Sequence, residues 1–103
     1  MTEPGSAKIN QALNDLFASP IRLKICGYLA PLAEIEFMLL RDQLAVSDSV
    51  LSKHVKQLTD AGYTSLRRGS WQGRKRTWVR LTSEGREALG RHIDALKQIA
   101  ANL

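Results

Sequence analysis

The stretch Ser47-Asp48-Ser49-Val50-Leu51-Ser52-Lys53-His54-Val55-Lys56-Gln57-Leu58-Thr59-Asp60-Ala61-Gly62 decides how this chain is read. It carries the start and stop signals of one helix. Ser47 suits the N-cap, because its hydroxyl can accept from an unpaired backbone N–H of the first turn. Gly62 suits the left-handed residue that ends a helix. At about 100° per residue, Leu51, Val55 and Leu58 fall on one side of that helix. Ser49, Lys53, Lys56 and Asp60 fall on the other side, flanked by Ser52 and Gln57. The outward side therefore presents two lysines among short or amide side chains, with its one acid at the C-terminal end. Asp48 in the first turn favours the helix dipole, and an acid there can also accept from a cytosine amino group.

Downstream of Gly62 the helical period gives way to alternation. Residues 63–68 and 76–82 predict two strands, joined by a loop over 69–75 that holds two glycines. Thr77, Val79 and Leu81 form the expected core face, and Arg76, Trp78 and Arg80 the outer one. Arg67, Arg68, Arg74, Lys75 and Arg76 gather toward the loop end of this hairpin. Trp71 sits at the loop tip, free to stack on a polyanion, fold back over the hairpin or enter a contact between copies. Thr82 or Ser83 then caps a last helix to about Ala100, with Leu89, Ile93, Leu96 and Ala100 as its apolar stripe.

Upstream, Ala45-Val46 is a tight connection to a short helix over 37–44, in which Met38, Leu40 and Leu44 are apolar. Glu34-Ile35-Glu36-Phe37 alternates over too short a run to classify, and fits a single extended bridge. Ser19-Pro20 restarts a helix, since Pro is tolerated where the first N–H has no partner. Ile21, Ile25, Tyr28 and Leu29 are its expected inner stripe, and Pro31 its stop. Before it, Ser6 can cap a helix running to about Ala18, with Ile9, Leu13, Leu16 and Phe17 at helical spacing. Residues 1–6 are expected to form a loose tail, and 7–103 a single domain.

The order is four helices, a hairpin and a last helix. Two helices joined by a very short turn and followed by a basic hairpin give the pattern of a winged helix-turn-helix, mainly α with a small β-hairpin. The chain has 103 residues and a net charge of +5, enough for one small domain. The charge is localised: Ser47 to Arg80 holds eight basic residues and two acids, while the remainder holds seven and eight. A basic segment on a neutral body points to a polyanion, nucleic acid before a membrane surface, or else to a solvated face. No apolar run approaches the roughly 18 residues of a membrane span, and the N-terminus does not read as a signal peptide. A cytoplasmic protein is expected. Cys26, the single cysteine, cannot form an internal disulfide or a cysteine-rich zinc site.

Four segments carry a family likeness. They are Ser19-Pro20-Ile21-Arg22, Ser52-Lys53-His54-Val55-Lys56-Gln57-Leu58, Ala61-Gly62-Tyr63, and Arg76-Thr77-Trp78-Val79-Arg80-Leu81-Thr82-Ser83-Glu84-Gly85. In this order and spacing the chain resembles the winged-helix transcriptional regulators of the MarR and ArsR type, above all small stand-alone members. The resemblance covers about residues 10–97. It implies a homodimer built through terminal helices, a helix that reads the major groove, and wings that reach flanking minor grooves. By position, Ser47, Ser49, Ser52, Lys53, Lys56 and Gln57 inherit the reading role. Arg67, Arg68, Arg74, Lys75 and Arg76 inherit the wing role. Ile9, Leu13, Leu89, Ile93, Leu96 and Ile99 inherit the dimer interface, with 83–100 as the C-terminal dimerisation helix.

The chain departs from the metal-sensing members, which use paired cysteines or clustered His and acidic ligands. Only Cys26, His54, His92 and Asp94 are candidates, and His92 and Asp94 are two apart and point to different faces. No metal or cofactor is expected, and Cys26 reads as a buried structural thiol. There is no Gly-rich phosphate loop and no convincing nucleophile–base pair, so an enzyme is not expected. The expected function is sequence-specific binding of double-stranded DNA by a homodimeric transcriptional regulator, a repressor. A small-molecule effector at the dimer interface is compatible with the fold, although no residue set defines its ligand. A winged-helix protein-interaction or RNA-binding module and a non-specific architectural DNA-binding protein are the alternatives.

Overall fold

A computed structural model describes residues 13–103. After a 3-10 turn, Asp15–Ala18, the elements are α1 (Pro20–Leu29), β1 (Ile35–Glu36), α2 (Phe37–Leu44), α3 (Asp48–Asp60), β2 (Thr64–Trp71), β3 (Arg74–Leu81) and α4 (Ser83–Ala101). The three strands form an antiparallel sheet in the order β1-β3-β2. Ile35 pairs with Val79, so the short alternating run upstream of α2 becomes the third strand of the wing sheet. This is the winged-helix architecture.

The local signals act as chemistry requires. Ser19 Oγ accepts from the Arg22 N–H, Ser47 Oγ from the Val50 N–H, and Thr82 Oγ1 from the Gly85 N–H. Each cap satisfies a donor that the first helical turn leaves open. Pro20 occupies the first turn of α1. Ala45, at φ 54°, ψ 45°, makes the left-handed corner between α2 and α3. Gly62 turns the chain out of α3 at φ 82°.

Ile25, Cys26, Leu29, Leu40, Leu51, Leu58 and Val79 are fully buried around the junction of the helices with the sheet. Phe17, Ile35, Val55, Leu81, Ala88 and Leu89 close the cluster. Because α2 and α3 share this core with β3, the two helices and the wing are held as one body.

Several expectations are corrected. The helix expected from Ser6 does not run on to Ala18. Its cap, and Ile9 on its apolar face, lie outside the described residues. Leu13 and Asn14 are not helical, and Asn14 sits extended at φ −120°, ψ 121°. All of its polar groups are used there. Its Oδ1 accepts from the Leu16 N–H at 2.9 Å, its N–H donates to His92 Nδ1 at 3.0 Å, and its Nδ2 donates to the Tyr63 hydroxyl at 2.7 Å. These bonds offer the backbone an alternative to the helix.

The hairpin is longer than expected. Its strands pair up to Trp71 and Arg74, leaving a turn of only Gln72 and Gly73. Both residues have positive φ, 53° and 77°, and such a turn matches strand twist, so the ladder continues to the tip. In α1, Tyr28 is exposed and Cys26 takes the inner position. In α4, Leu89, expected at the dimer interface, is only 8% exposed and packs into the core of the protomer. Ile93 is half-buried against the same cluster, while Leu96 and Ile99 are both 39% exposed. No helix among the described residues is long and apolar enough to cross a membrane.

Candidate nucleic-acid interface

The exposed face of α3 has two parts. Its N-terminal half presents Ser49, Ser52 and Lys53 to solvent. Ser52 and Lys53 have no side-chain hydrogen bond among the described residues, and Ser49 only touches Ser47 Oγ at 3.2 Å. The C-terminal half is internally neutralised, since Lys56 Nζ pairs with Asp60 at 2.9 Å. Ser47 is occupied as the cap, and Gln57 Oε1 accepts from Arg22 Nη1 at 2.6 Å. Of the six residues expected to read DNA, three are thus uncommitted and three are engaged within the protomer or the ion pair.

Two arginines outside α3 fix its position. Arg22 on α1 donates through Nε to the Leu16 carbonyl at 2.6 Å, and its Nη1 lies 3.1 Å from His54 Nδ1 as well as on Gln57. Burial first, then the Arg22 charge, holds His54 below the ordinary imidazole value. A neutral ring, accepting through Nδ1, is what this arrangement stabilises. Arg41 on α2 donates to Asp48 at 2.6 Å and to Asp42 at 3.0 Å. Asp48 therefore ties α3 to α2 besides sitting at the positive end of the helix dipole. Neither tether was legible in the sequence, because Arg22 and Arg41 lie on elements other than α3.

The wing has two faces set by its register. Arg67, Gly69 and Trp71 share one face with Arg74, Arg76, Trp78 and Arg80. Leu66, Arg68, Ser70, Lys75, Thr77 and Val79 lie on the opposite face, toward α2 and α3. The first face is braced by two acids, Glu36 in β1 and Glu34 just before it. Arg67 donates to both Glu34 oxygens at 2.6 and 3.1 Å, and its guanidinium lies 4.0 Å over the Trp78 ring. Arg76 Nη1 donates to Glu36 at 2.7 Å. The hydrogen bond from Arg67 keeps the Glu34 carboxyl below the usual carboxylate range. Sequence reading missed both glutamates. The available signal was their spacing of two, which puts them on one side of a strand next to a basic hairpin.

Arg68, Arg74, Lys75 and Arg80 take part in no ion pair among the described residues. Between the inner face and α3 runs a groove of about 400 Å³, lined by Phe37, Ser52, Val55, Lys56, Leu66 and Arg68 among others. It adjoins a concavity of about 470 Å³ formed by Arg68, Gly69, Lys75, Arg76 and Thr77. The chain thus presents two projecting elements, α3 and the wing, with a trough between them in which Arg68 and Lys75 are the cations without an ion pair among the described residues. A polyanion with a helical groove fits such a surface better than a small substrate does.

The remaining candidates are internal. Cys26 is fully buried and desolvation pushes its thiol up to about 12. His92 is buried at 5.2 Å from the Phe17 ring and accepts from Asn14, whereas Asp94 is exposed.

Comparison with known proteins agrees with this geometry. An uncharacterized protein of Methanocaldococcus jannaschii is 31% identical over 88 residues, covering 85% of this chain and 96% of its own. The structure of a transcriptional regulator homologue from Pyrococcus horikoshii superposes with a TM-score of 0.84 at 23% identity, over 93% of this chain and 96% of that one. A MarR-family transcriptional regulator from Silicibacter pomeroyi superposes with a TM-score of 0.64 at 22% identity, over 89% of this chain and 61% of that one. The fold is therefore that of the MarR-type regulators. Residues 21–100 match the family described as winged helix DNA-binding domain, and the chain belongs to that family.

Proposed function

We propose that the protein binds double-stranded DNA sequence-specifically as a homodimer and represses transcription by occluding promoter DNA. The observation that carries this reading is the pairing of uncommitted groups on two projecting elements. Ser49, Ser52 and Lys53 on α3 suit base edges in a major groove, where short side chains allow close approach. Arg68, Arg74 and Lys75 on the wing suit phosphates or a flanking minor groove. Dimer formation is supported by Leu96 and Ile99, which remain exposed on α4 beyond the protomer core. Ile93 and Leu13 would border that contact. A two-fold dimer gives inverted half-sites one helical turn or a multiple apart, about 10 bp per turn.

The test is selection from a randomised duplex pool, followed by binding to the recovered site at several salt concentrations. Recovered sites should be inverted repeats. With six to ten phosphate contacts, affinity should fall by about a thousandfold or more between roughly 50 and 200 mM salt. Transcription from a template carrying the site in its promoter should drop when the protein is added. A monomer by sedimentation at micromolar concentration, bound to an unrepeated site, refutes the dimer. Tighter binding to RNA than to duplex DNA at matched salt refutes the choice of partner.

A further inference from the structure

We propose that the wing tip deforms the duplex it meets, with Trp71 acting as an apolar wedge at a minor-groove base step. The wing would then select flexible pyrimidine–purine steps flanking the sequence read by α3. This rests on the duplex-DNA reading above and names which part of the site carries shape recognition.

Trp71 is 59% exposed at the end of the hairpin. The cation directly across from it is Arg74, its partner in the strand register, and Lys75 follows on the opposite face. Neither cation has an ion-pair partner among the described residues. An indole with a cation beside it and another behind it can place charge on the phosphates while the ring meets the bases. Indoles supply large apolar area at low rotamer cost, and every base offers a π-face for stacking.

The support behind the tip is stiff. Two acid–arginine pairs, Glu34 with Arg67 and Glu36 with Arg76, fasten the hairpin to β1 and to the residue just before it. Trp78 lies under Arg67 and against Gly69, where a Cβ would come within 3.1 Å of its ring. Gly69 thus leaves room for one indole to brace the hairpin, and the second is left beyond the brace. A rigid presentation removes ordering cost from insertion.

Groove dimensions decide how much can enter. Neighbouring strands lie about 4.8 Å apart, and their side chains widen the ribbon further. The minor groove is about 6 Å wide, so the ribbon is excluded and only side chains at its end can penetrate. Those side chains are Gln72, in the two-residue turn, and Trp71 and Arg74, which flank it; of the three only Trp71 offers an apolar ring. Apolar wedges unstack a base step and kink the duplex, which is least costly at TA and CA/TG steps.

The experiment compares the wild-type chain with Trp71→Ala and Trp71→Phe on the same randomised duplex pool. Wild type should enrich TA or CA/TG steps at symmetric flanking positions. Trp71→Ala should lose that enrichment, keep the central sequence preference and bind the wild-type consensus about tenfold more weakly. Trp71→Phe should retain most of both. On a consensus duplex with 2-aminopurine at the flanking step, fluorescence should rise with wild type and not with Trp71→Ala. Unchanged flanks and fluorescence with Trp71→Ala overturn the wedge while leaving DNA binding intact. A shift of Trp71→Ala to monomer on sedimentation also overturns it, assigning the indole to a contact between copies. If wild type selects no duplex at all, the DNA-binding reading falls first and the wedge with it.

Discussion

Gly85→Ala tests the way α4 is seated against the root of the wing. Gly85 lies in the first turn of α4 and is buried. A Cβ built there would strike the Tyr63 carbonyl oxygen and fall 2.8 Å from both the Tyr63 carbonyl carbon and Leu81 Cδ1. Ordinary contact begins near 3.4 Å, so the helix must retreat by at least 0.6 Å from the carbon alone. The obstacle is backbone, and it cannot rotate away. The same Tyr63 oxygen accepts from the Thr82 N–H at 2.9 Å, so retreat of α4 also strains the bond that closes the hairpin root. Overpacking costs about 1–3 kcal/mol, with the upper end expected where backbone resists. Helix propensity returns at most about 1 kcal/mol. The expected net loss is about 2 kcal/mol, or roughly 8–16 °C in Tm for a domain of this size. Gly27 is the internal control. It lies in α1 with nothing within 4 Å of a built Cβ, so Gly27→Ala should stabilise by about 0.5–1 kcal/mol. Urea and thermal unfolding followed by circular dichroism measure both. A Gly85→Ala protein within 0.5 kcal/mol of wild type, on the scale of an ordinary surface substitution, refutes the close-approach account.

Three further outcomes are expected. Lys53→Ala should cost about 1–3 kcal/mol on the recovered site and much less on scrambled duplex, whereas Arg74→Ala should weaken both and lower the salt slope by about one per lost phosphate contact; competition binding in which these effects are exchanged would reverse the assignment. Cys26, fully buried with its thiol pushed up to about 12, should resist a thiol-reactive disulfide reagent at pH 8 and react at once in guanidinium; rapid native labelling contradicts its burial. His54 is held below its ordinary value, so the unfolded chain binds its proton first; its contribution to stability is fully present above about pH 6.5 and is lost as pH falls from there through the depressed value. Urea midpoints of wild type should therefore drop more between pH 7.5 and 5 than those of His54→Gln, and parallel profiles would remove His54 from the account.

Much of the fold was legible because its signals are local. Ser19, Ser47 and Thr82 cap the helices that follow them through their own hydroxyls, and Gly62 turns the chain where the helical period stops. Leu51, Val55 and Leu58 select the buried side of α3 by spacing alone, which also fixes Ser49 and Lys53 as outward. The excess charge of the segment from Ser47 to Arg80 follows from counting. What depended on tertiary structure was each case in which the deciding partner is distant in the chain. Asn14 leaves the helix because His92 and Tyr63 accept its hydrogen bonds. Leu89 belongs to the core because α4 presses it there, although its spacing fits an interface stripe equally well. The wing runs to Trp71 because Gln72 and Gly73 both adopt positive φ, a conformation that the ladder stabilises and a glutamine does not announce. Glu34 and Glu36 neutralise two of the five wing cations, so composition counted charges that the fold divides into braces and free contacts. Sequence determines local caps, periods and charge; folding decides which charged groups are already paired, since ion pairing acts through space over a few ångströms and not along the chain.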